Sequence, residues 1–221
     1  MSCRLATLSA CVLLSACGGA TTNVDPQERF EAFRSDVIQA EREASALDGL
    51  SDTALRNMPT SGSARFAGKG AVVVEQAPLA NPAPTILMLG GATMEANFAR
   101  GTVAGQITDL RGIRPIGNTV FDVVEVGGRI DIGGVRSRIG DDPRTAAREA
   151  GNTWGADFSA DLDYDGDSIR AAGPMTGVFE GNRVNAPGRS PMRGMTGAGG
   201  AIGTLDGRPV AMRVEVFADN D

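Results

Sequence analysis

The chain has 221 residues, a net charge of −6 and no histidine; it is long enough for one sizeable domain with an appendage. Without histidine there is no Ser-His-Asp or Cys-His site and no His-ligated zinc or iron. The three cysteines, Cys3, Cys11 and Cys17, lie at the extreme N-terminus, so the remainder has no disulfide, thiolate nucleophile or metal clip.

Residues 1–16 are predicted to be a signal peptide. Arg4 gives the positive start, residues 5–14 a short apolar core, and Ser15-Ala16 the small residues of a cleavage point. That core is too short to span a bilayer permanently. Leu14-Ser15-Ala16-Cys17 resembles the lipobox of bacterial lipoproteins, in which the cysteine is acylated and becomes the first residue. The resemblance implies that Cys17 is the lipidation site and that several acyl chains hold the protein on a membrane, since a single chain binds only marginally. Gly18 follows, where an Asp would suggest inner-membrane retention, so the sorting pattern implies the outer membrane.

Residues 17–24 form a short acylated tether of small and polar side chains. A helix with its linker is predicted over 25–57. Asp25 can cap it, Pro26 fits its first position, and Glu28 can complete a capping box. Phe30, Phe33, Val37, Ile38, Ala44 and Leu47 recur at helical spacing, with a polar break at Glu41 and a stop at Gly49. Its acidic-leaning polar face favours docking on the following domain, or duty as a stalk, over lying on the membrane.

Residues 58–221 read as strands. There are 30 glycines, about twice ordinary usage, and they recur inside apolar-alternating runs, as a small curved sheet requires. Alternation marks strands over 61–75, 85–98, 102–110, 118–134, 154–164, 168–180, 198–205 and 208–217. Gly127-Gly128 suggests a turn or bulge, while Asp165-Gly166 and Asp206-Gly207 are tight hairpin turns. The fold class expected is mainly β: an antiparallel soluble barrel of about eight strands, preceded by one amphipathic helix. A sandwich is the alternative. Lipid-facing strands would show a continuous apolar band and aromatic girdles; here the second faces carry Arg65, Lys69, Glu95, Asp161, Asp163, Arg213 and Glu215. Glycine-rich walls leave open whether the barrel is filled or hollow.

Three stretches together carry a family resemblance. They are residues 58–68 (MPTSGSARFAG); Met94-Glu95-Ala96-Asn97-Phe98 with Gly101-Thr102-Val103-Ala104-Gly105; and Gly177-Val178-Phe179-Glu180-Gly181 with the glycine-rich run 197–203. In that order, and behind a lipobox, they resemble the C-terminal barrel domain of the transferrin-binding protein B-like bacterial surface lipoproteins. The resemblance covers about residues 58–218. It implies a barrel at the cell surface and a protein partner. Transferrin binding does not carry over, because larger members capture host proteins through accessory domains; nor do any binding residues.

Several residues are candidate sites. Asp161, Asp163 and Asp165 match the first half of a calcium loop, but the twelfth position is Ala172 rather than a bidentate Glu, and a hairpin turn explains them as well. Asp141-Asp142 and Asp157, Asp161 and Asp163 could pair as acid and base only across a cleft; on one strand face they read as a solvated surface. Arg183, Arg189 and Arg193 lie in the loop 182–197, suited to an anion or acidic partner, and this loop and 136–151 are the candidate binding loops. The acidic balance argues against nucleic acid and against electrostatic adhesion to anionic lipid, and no cofactor is implied. The expected function is a non-catalytic binding or scaffold module on the outer membrane. The alternative is a lipocalin-like periplasmic carrier of a small apolar ligand.

Overall fold

The computed structural model describes residues 25–76, 85–116, 120–140, 152–182 and 192–220. Helix α1 (Pro26–Asp48) and a short 3-10 turn (Leu55–Asn57) precede eight strands. These are β1 (Ser63–Gln76), β2 (Thr85–Asn97), β3 (Thr102–Ile116), β4 (Val120–Ile139), β5 (Thr153–Tyr164), β6 (Asp167–Glu180), β7 (Gly194–Leu205) and β8 (Arg208–Asp219). Each strand pairs antiparallel with the next, and β8 pairs back onto β1 in the register Gly70↔Val216, which closes the barrel. The expected eight-stranded barrel is therefore present, and the sandwich alternative is not.

Closure of a small barrel depends on strand bends, and glycine supplies them. Gly127 and Gly128 stay in register with Asp163 and Leu162 of β5. Against β3, however, residues 126–129 of β4 oppose only 108–110. The glycine pair is thus a bulge within a continuous strand, with Gly128 at φ +88°. A larger bulge follows: the β4–β5 register passes from Gly133↔Asp157 to Arg138↔Gly155, so residues 134–137 face Ala156 alone. Ser137 ties that bulge to β3, its Oγ accepting from the Val103 amide at 2.7 Å and donating to the Val103 carbonyl. Hence β4 runs five residues beyond the predicted end at Gly134.

The interior is filled, among the described residues, by large side chains resting on glycines one or two strands away. One ring of paired positions reads Trp154, Gly177, Gly197, Val216, Gly70 and Gly90. A Cβ on Gly177 would stand 2.6 Å from the Trp154 indole, and one on Gly197 2.3 Å. Ile107 occupies the same place over Gly70, at 2.5 Å. Trp154, Phe158, Phe179, Met88, Ile107 and Ile130 are fully buried in this core. Outward positions carry ion pairs, Arg65–Glu95, Arg129–Asp131, Arg170–Asp161 and Arg213–Glu215. Apolar inside and charged outside is the reverse of a porin-type wall.

Helix α1 begins at Asp25, whose Oδ1 accepts from the Gln27 amide at 3.0 Å, with Pro26 in the first turn. It lies along the outside of the barrel. Phe33, Ala40 and Leu47 are buried against Leu89, Val123 and Phe217, three outward residues that break the polar-out rule of their strands. Two ion pairs flank the contact, Arg29–Asp122 at 2.8 Å and Arg111–Asp36 at 2.5 Å. The expected docking is observed, with one adjustment. Ile38 is 38% exposed, and Ala40 takes the buried place on the stripe.

Gly197→Val is expected to destabilise the protein by about 1–3 kcal/mol through overpacking against Trp154. Gly91→Ala, where a Cβ meets nothing within 4 Å, should change stability by less than about 0.5 kcal/mol. Urea unfolding of both variants is the check; equal stabilities would mean that the interior has slack.

Candidate functional site

The barrel has two unlike ends. At the hairpin end, Asp165-Gly166 (φ +56° and +90°) and Asp206-Gly207 (φ +49° and +75°) make left-handed two-residue turns. Asp163 Oδ1 accepts from the Gly166 amide at 2.9 Å. Asp206 Oδ1 accepts from the Ser168 amide at 2.9 Å, and the Asp206 amide donates to the Ser168 carbonyl, so the two tips are joined. Asp167 stands beside them with its pKa raised, chiefly by the hydrogen bond to the Asp206 side chain. Slight burial and the negative charges of Asp206, Asp165 and Asp163 add to it.

This arrangement accounts for the calcium-like spacing. Asp161 and Asp163 point out from a regular strand while Leu162 and Tyr164 point in. Tyr164 is held there by its hydroxyl, which donates to the Ile113 carbonyl at 2.5 Å. Asp161 pairs with Arg170 at 3.1 Å, and Asp163 caps the turn through Gly166. A calcium loop instead wraps alternate side chains around one point. Among the described residues, no group of three acidic side chains is placed to hold a metal. Asp157 turns to Arg136, accepting from its amide at 3.2 Å and pairing with its guanidinium at 3.3 Å.

At the other end, the linker from α1 is stitched onto the end of β6. The Thr53 amide donates to the Phe179 carbonyl at 2.8 Å, Thr53 Oγ1 to the Gly181 carbonyl at 2.7 Å, and the Gly181 amide to the Ser51 carbonyl at 2.9 Å. Asn182 clasps the linker from outside: its Oδ1 accepts from the Ala54 amide, and its Nδ2 donates to the Asp52 carbonyl. Phe66 and Phe98 pack on Phe179, with ring centroids 6.1 and 5.9 Å away, and close the core here.

Under the linker lies Glu180, 4% exposed. Its Oε1 accepts from Thr196 Oγ1 at 3.1 Å, while Oε2 has no hydrogen-bond partner among the described residues. Burial raises its pKa, the Thr196 hydrogen bond opposes that shift, and the charges of Asp52 and Asp48 add to it. The alternation of β6 puts Glu180 on the outer face, where sequence reasoning expects solvent. Its cover comes from residues far away in the chain, so no local signal marks it.

Of the predicted binding arginines, Arg193 alone is among the described residues. Its amide donates to the Glu180 carbonyl at 2.8 Å, its carbonyl accepts from Asn220, and its half-exposed guanidinium lies 3.8 Å from Asp219. It thereby joins the ends of β6 and β8. Cys17, Arg183, Arg189 and Asp141-Asp142 lie outside the described residues, as do the signal peptide, the tether and most of the loop 136–151. The barrel's outer wall carries a trough of about 760 Å³ over β1–β3, bordered by Arg65, Thr93, Glu95, Ala104 and Gln106. A smaller groove of about 300 Å³ beside Leu47 and Arg193 shares Ala67 and Asp219 with it.

Comparison with protein-family models, curated proteins and solved structures gives no match. The eight-stranded barrel that the resemblance implied is present; the family itself has no independent support.

Glu180 sets a pH dependence whose sign follows from linkage. A carboxyl with a raised folded pKa costs nothing below its unfolded value, 4.5 here. The cost grows as pH rises from there through the folded pKa and is constant above it. Glu180→Gln removes that cost while keeping an oxygen for Thr196. The variant is expected to melt higher near neutral pH, with the gain vanishing below about pH 4. Thermal unfolding across pH checks this, and a variant less stable at neutral pH would contradict it.

Proposed function

We propose that the protein is an outer-membrane lipoprotein, anchored through acylated Cys17, whose barrel is a non-catalytic binding or scaffold module at the cell envelope. The observation that carries this reading is the occupied interior. Trp154, Phe158, Phe179 and Ile107 fill the space in which a carrier would hold its ligand. Recognition is then left to the outer wall and the two ends, carried on a rigid closed sheet, as in other platforms that present loops. The lipobox supports the anchor, and the resemblance to transferrin-binding protein B-like barrels supports a protein partner. The same filled core weighs against the lipocalin-like carrier.

Metabolic labelling with a palmitate analogue is expected to mark the wild type and not Cys17→Ser, which should leave the membrane fraction. Protease shaving of intact cells then separates the two settings. Loss of the barrel with a periplasmic control intact fits partner capture outside the cell, and protection fits a periplasmic scaffold. Native mass spectrometry is expected to give the mass of the acylated chain alone; a co-purifying apolar ligand would overturn the reading in favour of the carrier.

A further inference from the structure

Which end of the barrel faces a partner follows from where α1 starts and how far its tether reaches. The N-terminal turn of α1 sits at the hairpin end: Arg29 pairs with Asp122 near the start of β4, and Glu28, Arg29 and Asp165 border one groove. The helix ends at the opposite rim. Leu47 presses on Gly194 at the start of β7, where a Cβ would meet it at 2.6 Å, and the following residues are stitched to β6. With 23 residues, α1 is about 35 Å long at ~1.5 Å per residue. It therefore runs the length of the barrel.

Residues 18–24 connect Cys17 to Asp25, and fully extended they reach less than about 30 Å. To lay the linker end on the bilayer, the tether would have to run back along the whole of α1, about 35 Å. It is too short. The hairpin end, with Asp163, Asp165, Asp167 and Asp206, is repelled by anionic lipid within a Debye length of about 8 Å, and that repulsion alone would favour inversion. The tether length overrules it.

We infer that docked α1 orients the anchored barrel, holding the hairpin end towards the bilayer and presenting the linker-end rim to a protein partner beyond it. This rests on the anchor proposed above. The presented rim carries Leu55 and Val135, 60% and 93% exposed, with exposed Arg56 and Arg100 and half-exposed Arg136 and Arg193. Exposed apolar side chains beside arginines suit a protein surface; the geometry keeps them from bilayer lipid.

The test uses the acylated protein in phosphatidylcholine vesicles containing an acceptor dye in the bilayer. The donor is placed on Arg208→Cys at the hairpin end or Arg100→Cys at the linker end. In the acylated chain the introduced cysteine is the free thiol, because Cys3 and Cys11 leave with the signal peptide and the Cys17 sulfur is alkylated. Energy transfer is expected to be several-fold stronger from position 208 than from position 100. Inserting about 20 Gly/Ser residues after Val24, enough to span α1, should bring the two close to equality. Equal transfer with the native tether, or stronger transfer from position 100, would overturn the orientation. Intact mass separates this from failure of the anchor. If Cys17 carries no acyl chain, the anchor reading falls. The orientation is then measured on a chain starting at residue 17, with Cys17→Ser and a lipid coupled to its terminal amine.

Discussion

Everything else in the molecule depends on the fit of Trp154 and its neighbours onto glycines of nearby strands. Eight strands close at a radius that leaves room for side chains but not for two facing layers of large ones. The chain resolves this by asymmetry. Trp154, Ile107, Phe158 and Tyr164 project from some strands, and Gly197, Gly177, Gly70 and Gly112 recede on others. The indole N–H is also satisfied, donating to the Thr196 carbonyl at 3.1 Å. The high glycine content is therefore the complement of a few bulky residues, rather than a sign of an empty vessel.

A closed wall leaves its outer face to do two jobs. Most of it is charged and solvated. A diagonal strip, Leu89, Val123 and Phe217 with Ala71 and Ile113 beside it, is apolar and takes the stripe of α1. Ion pairs at Arg29–Asp122 and Arg111–Asp36 set the helix along that strip. The linker then folds over the rim and seals Glu180 beneath it. Helix, strip and linker act as one clamp on the outside of the barrel.

Alternation made the strands and their inward faces legible, because each inward residue of β5 and β8 is apolar and the turns that lead out of β5 and into β8 carry Asp-Gly. The cap at Asp25 and the buried Phe33 and Leu47 were legible for the same kind of reason, a local period. Departures from local rules were not. The bulge at residues 134–137 depends on backbone angles at Gly133 and Gly134 and on a tie from Ser137 to Val103, 34 residues away. Glu180 is buried by a linker 128 residues earlier, through contacts such as Thr53 to Gly181. Asp161, Asp163 and Asp165 read two ways, since a hairpin tip and a cation loop want the same residues. Only the inward side chains of Leu162 and Tyr164 tell them apart.

The pairing of β1 with β8 carries a consequence for how the chain reaches this state. Gly70 and Val216 are neighbours in space and almost the whole barrel apart in sequence. Folding must therefore meet a large loop-closure entropy before its last seam is repaid. Until β8 arrives, β1 and β7 are open edges, and open edges recruit other chains. A polypeptide interrupted before the closing strand is thus not a slightly smaller barrel but a sticky half-sheet. Seven strands have to be sheltered until the eighth is in place.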